Sequence, residues 1–60
     1  MKTYRGAAVR DGRFWLVRVE GVGATQGRSK PEARYMAAEL IETLHGISRA
    51  EFDVHIDFAP

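Results

Sequence analysis

The chain has 60 residues, no cysteine and a formal net charge of +1. A chain this short forms one domain and buries only about 60% of the surface its unfolded form exposes, so its core is marginal and help from a partner is expected. Without cysteine there is no disulfide and no thiolate metal site, which fits a reducing compartment and leaves oligomerisation as the remaining way to stabilise a small fold. No stretch approaches the roughly 20 apolar residues of a membrane span, and no apolar run follows Lys2 and Arg5 as a leader would require. A cytoplasmic protein without a membrane partner is expected. Charge is uneven: residues 1–34 hold eight Lys/Arg against three Asp/Glu, and residues 35–60 hold one Arg against five Asp/Glu. Such asymmetry suits a nucleic-acid surface, pairing between chains, or a mixed surface once folded.

In chain order, residues 3–9 and 14–20 flank Arg10-Asp11-Gly12-Arg13. Asp-Gly predicts the centre of a two-residue type I′ hairpin turn. That turn sets Arg10 against Arg13, Val9 against Phe14, Ala8 against Trp15, Gly6 against Val17 and Tyr4 against Val19. One hairpin face is then Tyr4, Gly6, Ala8, Trp15, Val17 and Val19, suited to a helix packed on it. The other holds Thr3, Arg5, Ala7, Val9, Phe14, Leu16, Arg18 and Glu20, apolar near the turn and charged at the far end. A half-apolar outer face asks for a partner.

Gly21, Gly23 and Gly27 bracket a third short strand, predicted over 22–26. Ser29-Lys30-Pro31-Glu32 reads as a capping box, with Ser29 as N-cap, Glu32 reaching back and Pro31 in the first turn. The helix, predicted over 30–45, carries Ala33, Met36, Ala37, Leu40, Ile41 and Leu44 in one stripe toward the sheet, with Arg34, Glu39 and Glu42 in water. It ends at Gly46, with His45 in the last turn. Phe52, Val54, Ile56 and Phe58 alternate with Asp53, His55 and Asp57, predicting a last strand over 52–58. The whole is an α+β domain, a two-layer β-β-β-α-β arrangement with one helix on an antiparallel-rich sheet.

Few residues nominate chemistry. Asp53, His55 and Asp57 share a strand face, but ligands along a straight strand fan apart and no second cluster completes a metal site, so no metal or other cofactor is expected. Gly21, Gly23 and Gly27 match neither the dinucleotide nor the Walker spacing and read as turn glycines. Thr25 and Ser29 lack a base, and neither His45 nor His55 is placed to serve one. Arg5, Arg10, Arg13 and Arg18 beside Phe14 and Trp15 mix basic and aromatic groups as single-strand platforms do, although Trp15 falls on the core face.

Asp11-Gly12 before Phe14-Trp15, the alternating Val17 and Val19, Thr25-Gln26-Gly27, the helix start at Ser29, and Glu32-Ala33 leading to Ala37, Leu40 and Ile41 together resemble the N-terminal domain of HicB-type antitoxins. The resemblance spans residues 3–58 and implies a partial ribonuclease-H-like βββαβ fold that forms dimers or higher oligomers and covers an mRNA-cleaving HicA-type toxin. The family's separate C-terminal DNA-binding segment has no counterpart in residues 1–60, and its usual Pro-Gly-Cys before the third strand is here Glu20-Gly21-Val22-Gly23. Nuclease activity is not expected, because that chemistry needs carboxylates converging on two metal ions. The leading expectation is a non-catalytic protein-binding domain that self-associates through the outer hairpin face or an exposed sheet edge, with Val9, Phe14 and Leu16 as apolar anchors and Arg5, Arg13 and Arg18 setting register. The alternative is a small nucleic-acid-binding module using the basic N-terminal hairpin.

Overall fold

The computed structural model describes residues 1–60. The elements are β1 (Lys2–Asp11), β2 (Phe14–Val19), β3 (Gly23–Gly27), α1 (Lys30–His45), a one-turn 3₁₀ helix (Arg49–Glu51) and β4 (Phe52–Phe58). The four strands form one sheet in the order β3-β2-β1-β4. β1 pairs antiparallel with β2 and parallel with β4, and β2 pairs antiparallel with β3. The fold is α+β, one helix packed on a mixed sheet.

The hairpin turn differs from its sequence reading. Asp11 pairs with Phe14, so Gly12 and Arg13 are the central residues, and Gly12 alone has positive φ, at 62°. This is the type II′ pattern, which spares Asp11 the left-handed conformation a type I′ turn would impose on it. The register becomes Arg10 with Trp15, Val9 with Leu16, Ala8 with Val17 and Gly6 with Val19. The shift is two residues, so every side chain keeps its expected face.

β3 begins one residue later than expected because Val22 belongs to the preceding turn. Its N–H donates to the Val19 carbonyl at 3.1 Å, and Gly21 takes the positive φ of the turn. At the other end Gly27 lies directly beneath the start of α1. A Cβ there would sit 2.5 Å from the Ala33 nitrogen, so glycine is what lets strand and helix touch.

Ser29 caps α1, its Oγ accepting the Glu32 N–H at 3.2 Å. The Glu32 carboxylate accepts the Arg28 N–H at 2.7 Å, one residue before the position a capping box would use. Gly46, with φ of 64°, closes the helix by donating its N–H to the Glu42 carbonyl. A complete capping box then appears at Ser48 and Glu51, starting the 3₁₀ turn that leads the chain into β4.

The core lies between α1 and one sheet face. It comprises Tyr4, Ala8, Trp15, Val17, Val19, Phe52 and Ile56 from the sheet, and Ala33, Ala37, Ala38 and Ile41 from the helix. The helix stripe is rotated from its sequence reading: Ala38 is buried, Met36 and Leu40 are half-buried, and Leu44 is 56% exposed. Alanines let the helix approach closely, which brings Ala38 inside, while Leu44 lies over Gly23 where the short β3 begins and the sheet gives no further cover. Tyr4 stacks edge-on against Phe52, and Trp15 against Phe58. No helix is long and apolar enough to cross a membrane.

Candidate interaction face

α1 covers one side of the sheet and leaves the other open. Strand parity assigns Val9, Phe14 and Leu16 to this outer face, and the register brings Val9 and Leu16 into a direct cross-strand pair with Phe14 next along β2. Val9 is 50% exposed, Leu16 is at 36%, and Phe14 is half-buried. They form one apolar patch near the hairpin turn, continued by Ala7 and Ala24, which flank Arg18 on the neighbouring strands.

Away from the turn the face is charged. One row across the sheet reads Ala24, Arg18, Ala7, Asp57; the next places Arg5 beside His55; the next pairs Thr3 with Asp53. Arg5 and Arg18 therefore share this face with Asp53, His55 and Asp57, all of them exposed. The His55 imidazole Nε2 lies 3.4 Å from the Asp57 carboxylate. Arg13 stands apart from the other five residues, because it occupies the turn and projects from the end of the hairpin.

Asp53, His55 and Asp57 are spread along β4, and no group of three His, Cys, Asp or Glu side chains is placed to hold one metal ion. His45 is engaged with the Tyr4 hydroxyl, 2.8 Å from its Nδ1. On the helix surface, hydrogen bonding to Glu39 and the repulsion of its carboxylate hold the Tyr35 phenol above its ordinary pKa.

The basic–aromatic grouping read from the hairpin does not assemble. Arg10 lies on the helix side of the sheet with its guanidinium over the Trp15 ring, whereas Arg5 and Arg18 lie on the opposite side. Trp15 is 7% exposed and offers no stacking surface. A different cationic group forms instead, with Lys30 over both Trp15 and Phe58 and Arg34 over Phe58. The sequence held a sign of it: Lys30 and Arg34 stand four residues apart on the helix, and Phe58 has inward parity on β4. No family model, curated protein or solved structure matches the chain.

Proposed function

We propose that this chain is a non-catalytic, cytoplasmic protein-binding domain of the HicB-antitoxin kind, self-associating through the outer sheet face and able to cover a HicA-like mRNA-cleaving toxin. The observation that carries this reading is the Val9–Leu16–Phe14 patch, three large apolar side chains gathered on a sheet face that no element of the chain covers. Arg5 and Arg18 on the same face, against Asp53 and Asp57, provide both signs of charge for fixing the register of a second copy. A binding role and not an enzymatic one is supported by the dispersal of the titratable groups, since His45 is tied to Tyr4 and the β4 carboxylates point to open solvent.

Four strands about 4.8 Å apart and about six residues long make a face of roughly 400 Å² in projection. A standard interface buries about 800 Å² per partner, so the association is expected to depend on concentration. Phe14→Asp places a charge in the patch without touching the core, and light scattering should then give the monomer mass where wild type is associated. An unchanged mass would overturn the assignment of the face. Inhibition of a HicA-type toxin's RNA cleavage by the purified chain tests the toxin part separately.

A further inference from the structure

Arg10, Lys30 and Arg34 converge on the helix side of the sheet, at the end where the hairpin turn, the start of α1 and the end of β4 meet. The Trp15 ring carries the Arg10 guanidinium at 5.3 Å and the Lys30 ammonium at 5.5 Å from its centroid. The perpendicular Phe58 ring carries Lys30 at 5.6 Å and Arg34 at 4.8 Å. Each neighbouring pair of cations thus shares a ring, which bounds their separation. All three are exposed, and none is paired with a carboxylate. Glu32, the acidic residue of the first helical turn, is engaged with the Arg28 N–H, and Asp11 and Asp57 lie on the other side of the sheet.

Cation–π contact holds such groups in place without neutralising them. Three like charges so positioned repel one another, and an anion with repeating charge relieves that repulsion along the whole rim. Two of the three are guanidiniums, whose planar fork matches phosphate oxygens in pairs. The rings beneath are occupied: Trp15 is buried, and Phe58 is half-buried with Arg34 across it, so no base can stack there. We propose that this rim binds the phosphate backbone of a nucleic acid, without base preference, at a surface separate from the outer sheet face.

The test uses the whole chain and a fluorescently labelled thymidine homopolymer, followed by anisotropy. Trp15 is the sole tryptophan, so its emission gives a second signal from beneath the rim. Three phosphate contacts on a single strand correspond to a log–log salt slope of about −2, or about a fifteen-fold loss of affinity between about 50 and 200 mM salt. K30Q/R34Q should lose about ten-fold or more at low salt, and R10Q alone should lose less but in the same direction. K2Q, a single charge change at the far end of β1 from Arg10, should lose less than about two-fold. Circular dichroism of each variant checks that it folds, and R10Q keeps the test open if the double variant does not. No binding by wild type at low salt, equal losses for R10Q and K2Q, or equal binding of a polyglutamate peptide would each overturn the proposal.

Discussion

A methyl group added at Gly27 would meet the backbone nitrogen and Cα of Ala33, neither of which can swing aside. Gly27→Ala is therefore expected to push α1 off the sheet and lower stability by about 1–3 kcal/mol, read from urea unfolding. Ile41, two turns further along α1, is fully buried in the core. Its truncation to Ala should cost about 2–5 kcal/mol, a large part of what a domain this size has. Tyr35 offers a test in pH. Glu39 raises its phenol pKa in the folded protein. The stabilisation this represents is complete below the unfolded-state pKa and disappears as pH rises through the higher folded value. Ultraviolet titration should show Tyr35 ionising at lower pH in Glu39→Gln, and an unchanged curve would mean that Glu39 does not hold the proton.

At the scale of elements, what was legible depended on whether a local pattern had one structural solution. Ser29, Pro31 and Gly46 bound α1 where expected, and the alternation from Phe52 to Phe58 gives β4 as read. The hairpin turn differs by one residue because Gly12 can be the second central residue of a type I′ turn or the first of a type II′ turn, and the pairing of Asp11 with Phe14 selects the latter. Faces survived that error because the register moved by an even number. Leu44 was misjudged because periodicity cannot tell where the sheet beneath a helix ends, and Ala38 because it cannot tell how close a helix comes. The Ser48–Glu51 capping box was visible as a motif and was hidden only by its shortness. At Gly46, φ of 64° favours glycine, so Gly46→Ala should destabilise by about 1–2 kcal/mol and shorten the helix seen by amide exchange.

For the whole molecule, the sequence's charge asymmetry becomes two distinct surfaces that no linear reading separates. Arg5 and Arg18 go to the open sheet face with the β4 carboxylates, and Arg10 goes with Lys30 and Arg34 to the rim around Trp15 and Phe58. The candidate face itself was largely legible, since strand parity gathers Val9, Phe14 and Leu16 whichever turn is chosen, while Arg13 was displaced because the turn claims it. The rim was not legible, because it requires knowing that β4 lies beside β1 and brings Phe58 next to Trp15. One face of the sheet carries the core and the other carries exposed apolar surface, which a second copy is proposed to cover. The most direct measurement is the mass of the wild-type chain by light scattering over a wide concentration range. The mass is expected to rise from the 6.7 kDa of one chain toward that of a dimer or higher oligomer as concentration increases. A mass that stays at 6.7 kDa across the range would contradict self-association through this face.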